Sequence, residues 1–160
     1  MMEKSNEPSV SIIIPCYNSE NYLNSIIKTI EPFYNEGYEI ILVDDGSKKG
    51  DVTLLKFSSK FPKAICVKQE NGGVAKARNT GVKLATKDFV QLLDIDDSIT
   101  IDKIEYQYKA AIKNKADVVY SDWCMMIVDE LGNKKQEPIV ISGSFDDYIQ
   151  ALIERWWNPP

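Results

Sequence analysis

Four times in succession, a short run of β-branched and aliphatic residues gives way to a polar turn and then to a stretch with helical spacing. A fifth apolar run closes the series. The runs are residues 9–15 (SVSIIIP), 38–43 (YEIILV), 64–68 (AICVK), 89–93 (FVQLL) and 117–121 (DVVYS). They are too short for stable helices and largely apolar, the pattern of strands buried on both faces. Between the first two, Tyr22, Leu23, Ile26, Ile27 and Ile30 recur at three- and four-residue intervals, which predicts a helix from a Ser19 cap to about residue 35. Residues 52–61, with Leu54, Leu55 and Phe57 inward, 74–85 and 101–113 read as further helices. Strand–helix alternation of this kind requires right-handed crossovers. It predicts an α/β fold: a three-layer sandwich with a mostly parallel central sheet.

Beyond residue 121 the pattern changes. Residues 125–128 and 137–141, on either side of a turn at Glu130-Leu131-Gly132-Asn133, predict a β-hairpin. Ser144 and Asp147 resemble a capping box opening a helix to about Trp157. Residues 1–8 are polar and expected to be a disordered leader, and 160 residues suit one domain, expected over 9–160.

Composition narrows the function. Nineteen Lys and Arg against 24 Asp and Glu give a net charge of −5, which argues against nucleic acid as a partner. There is no histidine, so imidazole bases and His-ligated metals are excluded, and acid–base work falls to other groups. Cys16, Cys66 and Cys124 are odd in number and far apart, as expected of reduced thiols in a cytoplasmic protein rather than a disulfide framework. No signal peptide or membrane-length apolar run is present.

Ligands of open parallel sheets sit at the carboxyl ends of the strands. Four polar segments fall there: Pro15-Cys16-Tyr17-Asn18, Asp44-Asp45-Gly46-Ser47, Glu70-Asn71-Gly72-Gly73 and Asp94-Ile95-Asp96-Asp97. Asp94 and Asp96 lie two apart, and in extended backbone their carboxylates would share a face. Two like charges so placed suit a hard divalent cation, Mn²⁺ or Mg²⁺, completed by phosphate oxygens and water. The same carboxylates also suit an ordinary helix start, since Asp97 and Asp102 favour its positive end. Asp44-Asp45 reads equally as a ligand for a base or ribose and as a turn. Gly72-Gly73 opens a helix bearing Lys76 and Arg78, cations that could neutralise phosphate. Neither a P-loop nor a G-x-G-x-x-G motif is present.

Taken together, VSIIIPCYNSENYL (10–23), YEIILVDDGSKKG (38–50), NGGVAKARNTGVKLA (71–85) and FVQLLDIDDSITIDKIE (89–105) resemble the family 2 inverting glycosyltransferases. The resemblance covers roughly residues 9–125 and implies a GT-A, Rossmann-like fold with a nucleotide-sugar donor site. It implies that Pro15, Tyr17 and Asn18 sit beside the nucleotide and that Asp45, with Asp44, holds the base, usually uracil. Arg78, Lys76 and the loop from Asn71 through Gly73 would approach the base, ribose or diphosphate. Asp94-Ile95-Asp96 would be the D-x-D motif, Asp94 at the ribose or metal and Asp96 at the metal. Ile101 stands where many relatives have Pro. The family's catalytic base carries onto no residue here: Asp122, Asp129, Asp146 and Asp147 do not match its position. The chain thus resembles the donor-binding portion of a longer enzyme, peripheral at most to the inner face of a membrane. Its implied acceptor is a saccharide or lipid-linked hydroxyl in polysaccharide, glycolipid or glycoprotein synthesis. Two other readings compete: a sugar nucleotidyltransferase, and a non-catalytic nucleotide-binding module that contacts a partner or second copy through Trp156 and Trp157.

Overall fold

The computed structural model describes residues 9–128 and 134–139. The chain divides into two compact units between Val118 and Val119. In the first, β1 (Val10–Cys16), β2 (Glu39–Asp44), β3 (Ile65–Lys68) and β4 (Phe89–Leu92) form one sheet in the order β3-β2-β1-β4. Every pairing in it is parallel. The chain moves outward from β1 to β2 to β3 through α1 (Leu23–Asn35) and α2 (Thr53–Lys60). It then returns through α3 (Val74–Leu84) to place β4 on the other side of β1. The strand order therefore reverses between β1 and β4, where open α/β sheets form a crevice.

Alternation along β1 and β2 sorts the core into two layers. Ile12, Ile14, Ile40 and Leu42 pack with Ile26, Ile30 and Phe33 of α1, Phe57 of α2 and Ile104 of α4 (Ile101–Asn114). Ile13, Ile41 and Val43 pack on the opposite face with Ala77 of α3. Gly81 brings α3 close to that face: a Cβ there would lie 2.2 Å from Ile13 Cγ2. Three helices on one face and one on the other make the expected three layers. At the amino ends of the strands, Glu39 ties the sheet to the turn before β4. It accepts from Ser11 Oγ, from Thr86 N at 2.9 Å and from Thr86 Oγ1 at 2.6 Å.

Several expectations are corrected. Ser19 does not cap α1 with its side chain. Its buried hydroxyl turns back, accepting from Tyr17 N and donating to Tyr17 O, and a short 3-10 turn (Glu20–Tyr22) precedes α1. Leu55 points outward and is exposed, whereas Phe57 is fully buried. Residues 117–121 form no strand. Val118 and Tyr120 are exposed, and no ladder among the described residues includes this run, so its β-branched propensity has no partner strand to act on.

The second unit contains a hairpin where one was expected, with both strands starting earlier than 125 and 137: β5 (Trp123–Val128) pairs antiparallel with β6 (Lys134–Ile139), and residues 140–141 lie outside the described residues. Trp123, Met125, Met126 and Ile127 are exposed. The leader, the turn at 130–133, the helix from Ser144, and Trp156 and Trp157 lie outside the described residues.

Candidate functional site

Asp44 ends β2 and Asp45 follows it, and both are buried. Asp44 accepts from Ser47 N at 2.8 Å, closing the turn, and pairs with Lys68 Nζ at 3.2 Å. Gly46 makes that turn possible. It sits at φ +78°, and a Cβ there would lie 2.8 Å from Asn71 N.

Asp45 binds the loop that follows β3. Its Oδ1 accepts from Gln69 Nε2 at 2.6 Å and from Gly72 N at 3.0 Å, and its Oδ2 accepts from Gly73 N at 2.7 Å. Its backbone oxygen accepts from Asn71 Nδ2 at 2.8 Å. Burial pushes the Asp45 carboxyl upward, but the hydrogen bonds from Gln69, Gly72 and Gly73 and the charge of Lys76 together hold it below the usual range. Asp45 is thus an anion seated in backbone amides at the start of α3.

The β1 loop is locked to the β2 loop. Asn18 adopts a left-handed conformation (φ 49°), which Asn tolerates. Its N–H donates to Ser47 Oγ and its Oδ1 accepts from Lys48 N, both at 2.8 Å. Pro15 lies within buried β1, and Tyr17 is exposed beside Asn18.

At the end of β4, Asp97 N donates to Asp94 O at 3.0 Å, so residues 94–97 form a turn rather than extended backbone. The alternation argument for Asp94 and Asp96 does not apply to a turn. Instead Ile95 enters the core, Asp94 is half-buried and Asp96 is exposed. Arg78 Nη2 of α3 meets Asp94 Oδ1 at 2.6 Å. Arg78 Nε is buried and, among the described residues, lacks a hydrogen-bond partner. An unmet guanidinium donor beside a strand-end crevice suits an anionic ligand. Lys76 Nζ donates to Glu70 O at 3.2 Å at the start of the same helix.

Among the described residues no group of three or more His, Cys, Asp or Glu is arranged to hold a metal ion. The acidic turn still fits a divalent cation that takes most of its ligands from phosphate and water. Burial and the charges of Asp96 and Asp94 raise the Asp97 carboxyl, the crowding that a cation relieves. The structure thus brings Asp45, Asn71 and Gly73 together, pairs Arg78 with Asp94, and joins Asn18 to the β2 turn. Gln69 is a contributor that the sequence does not single out, and Ser47, part of the polar segment after β2, joins the β1 loop through Asn18 N.

Residues 11–158 match the model of glycosyl transferase family 2, and the chain belongs to that family. It is 32% identical over 118 residues to glycosyltransferase GlyA of Streptococcus pneumoniae, covering 73% of this chain and 17% of that protein. It is 36% identical over 125 residues to the minor teichoic acid biosynthesis protein GgaB of Bacillus subtilis, covering 74% of this chain and 14% of that one. The crystal structure of S. aureus TarS 1-349 with UDP-GlcNAc superposes at a TM-score of 0.58 and 29% identity, over 68% of this chain and 32% of TarS 1-349. The chain thus spans about a third or less of these relatives' lengths. Its parallel sheet and three layers are the GT-A arrangement. No helix among the described residues is long and apolar enough to cross a membrane.

Proposed function

We propose that this chain forms the donor-binding part, residues 9–160, of an inverting glycosyltransferase. The donor is a nucleoside-diphosphate sugar, most simply a UDP-sugar, and the acceptor is a hydroxyl of a saccharide or lipid-linked saccharide. The observation that carries this reading is the convergence of loops at the sheet's carboxyl rim. Asp45 gathers the loop 69–73, Asn18 joins the β1 and β2 loops, and Arg78 meets Asp94. TarS, a family relative, binds UDP-GlcNAc in its crystal structure, which supports the choice of donor. GgaB, named for minor teichoic acid biosynthesis, supports a setting in surface-polymer synthesis.

In this reading Asp45 and the loop 71–73 hold the nucleoside, and Arg78 and Lys76 bear on the diphosphate. Asp94 and Asp96 would hold Mn²⁺ or Mg²⁺. The ion, when bound, neutralises charge developing on the diphosphate leaving group. Arg78 does the same through its guanidinium, fixed by Asp94 before donor arrives. The acceptor hydroxyl would attack the anomeric carbon on the side opposite the diphosphate, with a carboxylate base supplied outside the described residues.

Calorimetric titration of UDP into the chain, with and without Mn²⁺, tests this. Mn²⁺-dependent binding is the expected result. No binding in either condition, from a chain shown to be folded, overturns the donor site and favours a partner module instead. Tighter binding of a nucleoside triphosphate than of UDP would favour nucleotidyl transfer. Asp96→Asn should weaken the Mn²⁺-dependent binding about tenfold or more while leaving the fold intact. Unchanged affinity would remove Asp96 from the metal assignment.

A further inference from the structure

The Asp45 carboxylate has a second layer of support. Gln69 spans two elements: its Nε2 donates to Asp45 Oδ1 at 2.6 Å, and its Oε1 accepts from Thr80 Oγ1 of α3, also at 2.6 Å. A carboxylate only accepts, so the amide must present its NH₂ group to Asp45. Its oxygen then faces α3, and the Thr80 hydroxyl must spend its single proton there. Every donor and acceptor along this line has one consistent assignment. The line also closes on itself. Thr80 lies near the middle of α3, while Gly73, the residue before α3, donates to the same carboxylate.

We propose that Gln69 is a positioning residue of the donor site, fixing the Asp45 carboxylate against the loop 71–73, and that Thr80 acts through it by orienting its amide. The proposal rests on the reading of Asp45 as part of the donor site. Without Thr80's proton the amide loses the contact that opposes its rotation. Rotation would put Oε1 against the carboxylate and withdraw a donor from Oδ1. Without Gln69, Asp45 would rely on the glycine amides alone, and those belong to the loop it must hold. Charged groups around the carboxylate are Lys76 of α3, which favours its ionised form, and Asp44, itself paired with Lys68 of β3.

The test compares Gln69→Leu, Thr80→Val and Thr80→Ser with the unaltered chain. Two readouts are taken: UDP affinity with Mn²⁺ between pH 4.5 and 8, and the titration of the Asp45 carboxyl carbon by NMR without nucleotide. Gln69→Leu and Thr80→Val should each lose about tenfold in affinity at pH 7, the scale of one hydrogen bond to a charged group. Their affinity should also fail at a higher pH on the acid side, because the Asp45 carboxyl now protonates earlier. Thr80→Ser, which keeps the hydroxyl, should match the unaltered chain in both readouts. A residue that merely supports the fold would lower affinity equally at every pH and leave the Asp45 titration in place. That outcome, or wild-type behaviour in Gln69→Leu and Thr80→Val, overturns the proposal. If the unaltered chain binds no UDP, the donor-site reading fails on its own. A raised Asp45 titration in Gln69→Leu and Thr80→Val, but not Thr80→Ser, would then still establish the relay, and an unmoved one would remove it.

Discussion

Gly81 illustrates how a single atom sets a distance in this fold. With a Cβ 2.2 Å from Ile13 Cγ2, Gly81→Ala must push α3 away from β1 or force Ile13 from its rotamer. Overpacking of this kind costs about 1–3 kcal/mol. The variant should therefore unfold at lower denaturant, with UDP affinity also reduced because α3 carries Arg78. Thiol chemistry gives a second prediction. Burial first, and then the nearby Asp44 and Asp51 carboxylates, push the Cys16 thiol up to about 12, and burial pushes Cys66 up to about 11. Neither should form thiolate at pH 8, whereas Cys124 is exposed. One thiol should react quickly with a disulfide reagent in the native chain, and three after denaturation. At this scale the sequence showed which residues carry charge, but not where their partners come from. Asp45 was legible as an acid at a strand end. Gln69 was not, because a neutral amide in a loop announces nothing until its two contacts are seen.

Elements were read well where burial and propensity agree. All four strands of the parallel sheet were legible from their apolar runs; burial and propensity agree in β1 and β2, while the edge strand β4 exposes Val90 and Leu92 and is held by its ladder to β1. The run at 117–121 misled because no strand among the described residues pairs with it. The start of α1 misled because a buried serine preferred its own neighbour's backbone. Thr100 is the cap that was missed: its Oγ1 accepts from Lys103 N at 3.3 Å at the start of α4. Thr100→Ala should cost about 1 kcal/mol. The tie at the strands' amino ends adds a pH dependence. Burial raises the Glu39 carboxyl, but hydrogen bonds from Ser11 and Thr86 and the charge of Lys87 outweigh it and leave it lowered. A carboxyl lowered by folding stabilises fully above its unfolded value, about 4.3, and loses that contribution as pH falls through its folded value. Glu39→Gln should thus be less stable than the unaltered chain at pH 7, with the gap narrowing as the buffer is taken below pH 4. A gap that widens in acid would contradict the assignment.

Across the whole molecule, protection from exchange should be graded. β1 is paired on both sides and holds the fully buried Ile12, Ile13 and Ile14, so its amides should exchange last. The hairpin β5–β6 is two-stranded among the described residues and exposes four large apolar side chains, so its amides should exchange far sooner. Equal protection in hydrogen-exchange mass spectrometry would mean the hairpin is covered in solution. The rim itself follows from topology. Because every pairing is parallel, the loops that bear Asn18, Asp45, Gly73 and Asp94 share one end of the sheet, and the reversal of strand order between β1 and β4 opens a crevice there; that much could be foreseen from the order of motifs alone. One contact on that rim has an evolutionary consequence. Lys48 holds Asn18 with its backbone N–H, an atom that every residue except proline possesses. Position 48 is therefore free to drift to almost any side chain while the loop keeps its shape, whereas Asn18, which supplies a side-chain oxygen from a left-handed backbone, is not. In a saturation library selected for nucleotide binding, position 48 should accept everything but proline, and position 18 should accept almost nothing.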